Sequence, residues 1–216
     1  MLFDGIFYQA DVWLDGAYLG DPEGYFVPHA FEITDAARTG RDHVLAVEVS
    51  CPPPEQRHRV VTGAFQGDSG PTATWNPGGI WAPVRVEDTG PVRVDHFRVL
   101  CRDADPARAH VLLHATLDAD EGRLVTVRTS VDGEVVSEAE RSLAAGTNQL
   151  DWSVDIEQPR LWWPRALGDQ PLTRIGIEVL ADGEPSDEAE RSTGLREVAW
   201  NRWACAVNGE RLFLKG

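Results

Sequence analysis

Four dipeptides, Asp15-Gly16, Asp132-Gly133, Asp182-Gly183 and Asn208-Gly209, each stand between runs of apolar residues. Such a pair is the preferred centre of a type I′ hairpin, because both positions take φ > 0 and Gly, Asn and Asp tolerate it. The runs around them alternate. Residues 10–14, 44–49, 84–87, 92–100, 111–117, 124–131 and 175–180 place apolar side chains at every second position. That period puts i and i+2 on one face and matches half-buried antiparallel strands, not helices. Helical spacing is confined to residues 34–38, where Thr34 or Asp35 is expected to cap one turn and Gly40 to end it. The chain is therefore expected to be all-β.

With 216 residues there is room for one large or two ordinary domains. The break Glu87-Asp88-Thr89-Gly90-Pro91 separates two sets of strands. Residues 1–90 read as a partial jelly-roll domain with five or six strands, where a jelly roll needs about eight. Its unpaired edge predicts marginal stability or a homo-oligomer. Residues 91–196 have the size and strand spacing of an immunoglobulin-like β-sandwich without its disulfide. Residues 197–216 close on the hairpin around Asn208-Gly209, which cannot stand alone in water. The chain is thus expected to be the opening section of a longer protein, continuing past Gly216 and cut ahead of Met1.

Composition narrows the function. Thirty-five acidic against twenty basic residues give a formal charge of −15, which repels phosphate backbones and argues against nucleic-acid binding. No apolar run reaches the roughly 18 residues of a membrane span. Cys51, Cys101 and Cys205 are odd in number and far apart, so neither a disulfide framework nor a zinc site is indicated. Buried thiols and a reducing, cytoplasmic setting are expected. His110 and His114 fall on one face of a strand about 13 Å apart, too far to share a metal. No metal, cofactor or nucleotide motif is present.

Eight tryptophans stand out. Trp rings stack on sugar faces and also fill sandwich cores. Trp75 lies in a Gly- and Pro-rich loop and is the best ligand-facing candidate, whereas Trp81 begins a strand and is expected in the core. Paired carboxylates are the machinery of glycoside hydrolysis, but none sits in a distinctive motif, and no catalytic residue is assigned.

Several stretches, in order, resemble the N-terminal, non-catalytic region of glycoside hydrolase family 2, the family of β-galactosidases, β-glucuronidases, β-mannosidases and exo-β-glucosaminidases. They are Phe3-Asp4-Gly5 through Asp15-Gly16, Gly24-Tyr25-Phe26-Val27-Pro28, Gly79-Ile80-Trp81, Leu161-Trp162-Trp163-Pro164, Gly194-Leu195-Arg196, and Val207-Asn208-Gly209 through Lys215-Gly216. The resemblance implies a galactose-binding-like jelly roll, an immunoglobulin-like sandwich, and a following (β/α)₈ barrel that carries both catalytic glutamates of a retaining mechanism. It implies a carbohydrate substrate met through that barrel and an inactive isolated chain. In some members an acidic residue just before the Gly-Ile-Trp strand reaches the active site. Ala73 stands near that place here, which leaves Asp68, Trp75 and Asn76 as candidate substrate-binding residues. A free-standing carbohydrate-binding module is the alternative reading.

Overall fold

The computed structural model of the chain describes residues 1–38, 40, 42–51 and 78–214. It divides into two compact units, Met1–Asp88 and Thr89–Gly216.

The described part of the first unit holds eight short strands: β1 (Leu2–Phe3), β2 (Ile6–Phe7), β3 (Gln9–Leu14), β4 (Ala17–Gly20), β5 (His29–Ala30), β6 (Leu45–Ser50), β7 (Gly79–Ile80) and β8 (Val84–Arg85). This exceeds the five or six read from alternation, because two-residue strands carry no period to detect. They form sheets ordered β4-β3-β6, β5-β1-β8 and β2-β7. Asp15 and Gly16 turn β3 into β4 at φ 52° and 83°. Along β3 the alternation does what its period requires, burying Ala10, Val12 and Leu14. Ala10 and Val12 join Phe3 and Ile6 in the core, with Leu19, Phe31, Val47 and Val49 packed against them.

The helical turn α1 (Thr34–Ala37) is capped differently from expectation. Its N-cap is Ile33, which makes no side-chain cap bond. The Glu32 carboxylate instead accepts the Thr34 N–H at 2.8 Å and the Thr34 hydroxyl, so the hydroxyl has no capping role left. Gly40, at φ 62°, follows the turn.

The second unit contains β9 (Val92–Ala104), β10 (Arg108–Ala119), β11 (Arg123–Val131), β12 (Glu134–Leu143), β13 (Gly146–Glu157), β14 (Thr173–Ala181) and β15 (Glu184–Thr193). Three of them make the sheet β13-β10-β9 and four make β12-β11-β14-β15. Three strands facing four is the immunoglobulin-like arrangement. Between the sheets lie Phe97, Val111, Leu113, Leu117, Val125, Ile175, Val179 and Leu195, all nearly inaccessible to solvent. Strands β12, β13 and β15 escape the alternation reading because Glu138, Glu140, Asp151, Asp155, Glu188 and Glu190 crowd them with charge. Two of them are instead fixed as returns of hairpins, with Asp132 and Asp182 at φ 49° and 53°.

A buried serine joins the two sheets at one edge. Ser186 Oγ donates to the Val92 carbonyl and accepts the Val92 N–H, both at 2.8 Å. Gly90 lies so close that a Cβ there would stand 2.7 Å from this oxygen. Ser186→Ala would strand a buried N–H and a buried carbonyl at once. It should cost about 2 kcal/mol, read as a fall in the urea midpoint with the slope unchanged.

Beyond β15, strands β16 (Val198–Asn201), β17 (Ala204–Val207) and β18 (Glu210–Leu212) form a third sheet ordered β16-β17-β18. Asn208 and Gly209 make the expected hairpin at φ 50° and 82°. Asn208 exchanges two hydrogen bonds with Glu197, at 2.9 and 3.0 Å, and donates from Nδ2 to the Trp162 carbonyl at 3.0 Å. The hairpin is therefore tied back to the second sandwich.

Candidate functional site

Asp68, Trp75 and Asn76 lie outside the described residues, as does the stretch leading to β7. What can be built is the framework after them. Strand β7 pairs with β2 through Ile6↔Ile80 and Phe7↔Gly79. Trp81 comes next, and its position corrects an expectation: it is 51% exposed rather than in the core. The strand ends at Ile80, so Trp81 leaves the pleat. Its N–H donates to the Gly5 carbonyl at 3.2 Å and its indole N–H to the Tyr25 carbonyl at 3.1 Å. A Cβ on Gly5 would stand 2.5 Å from the indole, so only glycine allows the ring to settle there.

Around Trp81 the rings form a chain. Phe7 is buried and meets Tyr25 edge-on at 4.6 Å; Tyr25 stacks on Trp81 at 5.4 Å; Phe26 meets Trp81 edge-on at 6.0 Å. Phe26 is exposed. The inner end of the chain is core, and the outer end offers aromatic surface to solvent. Such a surface can stack on the apolar face of a ring-shaped ligand. Sequence reasoning missed Tyr25 and Phe26 as partners of Trp81, although both sit in the Gly24-to-Pro28 stretch; nothing local tells that this stretch returns to β7.

Ionisable groups of the first unit are held for structure. A hydrogen bond to Asp11, 2.9 Å long, pushes the Tyr18 phenol up to about 12. Tyr8 is raised in the same way by Glu23. Phenols held so high stay protonated at neutral pH and are poor bases. Arg85 bonds Asp4 and, at 2.7 Å, Glu87, which raises its guanidinium further.

In the second unit, His110 and His114 lie on β10 opposite Asp155 and Asp151 on β13, with Nδ1–carboxylate distances of 2.7 and 2.9 Å. Each histidine serves a separate cross-strand pair. Among the described residues no three His, Cys, Asp or Glu side chains converge as a metal site. Burial pushes the Cys101 thiol up, away from a reactive thiolate.

The loop joining β13 to β14 carries Leu161-Trp162-Trp163-Pro164. Leu161 bridges to Leu195, and the Trp162 N–H donates to the Leu195 carbonyl at 2.8 Å. The Arg196 guanidinium lies 4.7 Å from the centre of the Trp162 ring. Trp162 thus closes the end of the sandwich, against Gly194.

The family model for glycosyl hydrolases family 2 matches residues 92–196, which is this sandwich from the first residue of β9 to the Arg196 beside Trp162. This domain belongs to glycosyl hydrolase family 2. Curated relatives align with nearly the whole chain. An exo-β-D-glucosaminidase of Hypocrea virens is 27% identical over 95% of this chain and 24% of its own length. A β-mannosidase B of Emericella nidulans is 24% identical over 91% of this chain and 26% of its own. The chain spans about a quarter of the length of the curated relatives it matches. Among solved structures, an exo-chitosanase of Amycolatopsis orientalis superposes with a TM-score of 0.77 at 23% identity, covering 100% of this chain and 26% of that one. A β-D-mannosidase of Dictyoglomus thermophilum superposes at 0.75 with 21% identity, covering 100% and 30%. At these identities the superpositions establish the shared fold.

Proposed function

We propose that this chain supplies the non-catalytic β-sandwich section of a family 2 glycosidase that removes terminal β-linked sugars with retention of configuration. The observation that carries this reading is the alignment of 95% of the chain with about a quarter of an exo-β-D-glucosaminidase. β-Mannosidase relatives of the same coverage support β-glucosaminides and β-mannosides as the substrate classes.

Retaining hydrolysis needs two carboxyl groups about 5 Å apart, one of them held protonated to act as acid. Among the described residues, the carboxyls whose ionisation is clearly displaced move the other way. The Thr34 hydroxyl, followed by its backbone N–H, holds Glu32 below the usual range. The backbone N–H groups of Arg108 and Ala107, at 2.9 and 2.7 Å, do the same to Asp105 in the β9–β10 turn. Hydrogen bonds from these local groups favour the anion of each. The family resemblance assigns the catalytic acid and nucleophile to a barrel outside these residues, with the sandwiches as its scaffold. Free thiols at Cys101 and the buried Cys205 support a reducing, cytoplasmic setting.

The test joins these residues to a family barrel in one polypeptide. That polypeptide should hydrolyse an aryl β-mannoside or β-glucosaminide with retention, while the chain by itself should not. Turnover of neither substrate by the joined polypeptide would refute the assignment.

A further inference from the structure

A cavity of about 640 Å³ opens on the loop between β13 and β14. Leu161, Trp163 and Leu167 line its apolar side, and Arg160, Asp169 and Gln170 its polar side. The loop's own hydrogen bonds fix these walls. The Trp163 N–H donates to the Asp169 carbonyl and the Leu167 N–H to the Pro164 carbonyl, both at 2.8 Å. The Gln170 carboxamide donates to the carbonyls of Trp163, at 3.0 Å, and Gly168. Gly168 itself lies under the Trp163 ring, where a Cβ would come within 3.0 Å. A loop closed on itself in this way has little ordering entropy left to lose on binding.

The polar groups that line the cavity are not used up by the fold. Among the described residues the Asp169 side chain makes no hydrogen bond or ion pair. Arg160 is 68% exposed and reaches only Asp132, at 3.9 Å. Gln170 spends its NH₂ on the backbone and keeps its side-chain oxygen as an acceptor. The cavity thus combines an aromatic wall, one free carboxylate, one weakly held guanidinium and one amide oxygen. Its size is that of a small-molecule site. A purely apolar ligand would desolvate Asp169 and Arg160 without replacing their water. A phosphate would meet the Asp169 charge and the net charge of −15.

We infer that this cavity binds a neutral pyranose unit, with the sugar's C–H face on Trp163 and its hydroxyls shared between Asp169, Arg160 and the Gln170 oxygen. The ligand class rests on the carbohydrate reading above; the site rests on the loop.

The test is a titration of the 216-residue chain, labelled with nitrogen-15, with methyl β-D-mannopyranoside and methyl β-D-glucopyranoside. Saturable shifts are expected at the Trp163 indole and at the amides of Gly168, Asp169 and Gln170. Asp169→Ala should weaken binding roughly tenfold, by removal of charge-assisted hydrogen bonds, and Trp163→Ala should weaken it as well. Should the tryptophan variant lose its fold, the aspartate variant decides alone. Saturable shifts confined to other residues, affinity unchanged in Asp169→Ala, or no saturable shift with either sugar would each overturn the site. None of these outcomes touches the glycosidase assignment, which fails only if the barrel-joined polypeptide is inert.

Discussion

Gly194→Ala should lower the melting temperature of the second domain by about 10 °C, through overpacking worth about 3 kcal/mol. The position tolerates no side chain. A Cβ there would stand 2.5 Å from Cγ, 2.7 Å from Cδ1 and 2.8 Å from Cβ of Trp162. A flexible neighbour could move aside, but Trp162 is held on every flank. Its N–H is bonded to Leu195, its carbonyl receives the Asn208 carboxamide, and Arg196 lies over its ring. Arg196 is pinned in turn, donating to the Gly194 carbonyl at 2.9 Å. Displacing the ring therefore loosens the sandwich end and the closing hairpin together. Calorimetry measures the loss. A shift under about 2 °C would mean that the ring yields freely and that this junction is not the rigid element described.

Phe97→Ala should cost about 4 kcal/mol, a large share of the stability of an ordinary domain. Phe97 is 1% exposed and stacks on Trp152, with centroids 6.5 Å apart and planes 19° from parallel. Trp152 is anchored at its far end, where the indole N–H donates to the buried Thr129 hydroxyl at 3.0 Å. An anchored ring cannot fall into the space that a lost phenyl leaves, so the cavity persists and its full penalty is felt. Urea unfolding followed by tryptophan fluorescence reads the effect. A cost near 1 kcal/mol would mean that the core collapses around the gap.

The β-class of the fold was legible because its signals are local. Four Asx-Gly pairs all fold as hairpins with both residues at positive φ, and the alternation of β3, β10, β11 and β14 buries the face it marks. What escaped depends on distant partners. The two-residue strands of the first unit exist only through pairing with residues far along the chain, as in Leu2↔Ala30 and Leu2↔Arg85. Strands β12, β13 and β15 are polar on paper and become strands because a hairpin or a neighbour supplies the ladder. Trp81 was expected in the core because it reads as the start of a strand. Its half-exposed placement follows from Gly5 and Tyr25, which no window around residue 81 contains. The family resemblance ran through motifs whose roles the fold now explains: Leu161-Trp162 and Gly194-Leu195-Arg196 meet each other at the sandwich end. Asp68, Trp75 and Asn76 fall outside the described residues, and the candidates the structure offers, the Tyr25–Phe26–Trp81 rings and the loop around Trp163, were not read from the sequence.

The central proposal is that these residues scaffold glycoside hydrolysis without performing it. The most direct measurement is release of para-nitrophenol from the aryl β-D-mannoside and β-D-glucosaminide by the purified 216-residue chain, at high enzyme concentration, against a mock preparation. The account predicts no release above the mock. Turnover that co-purifies with the chain and disappears on replacing one of its own carboxylates would contradict it.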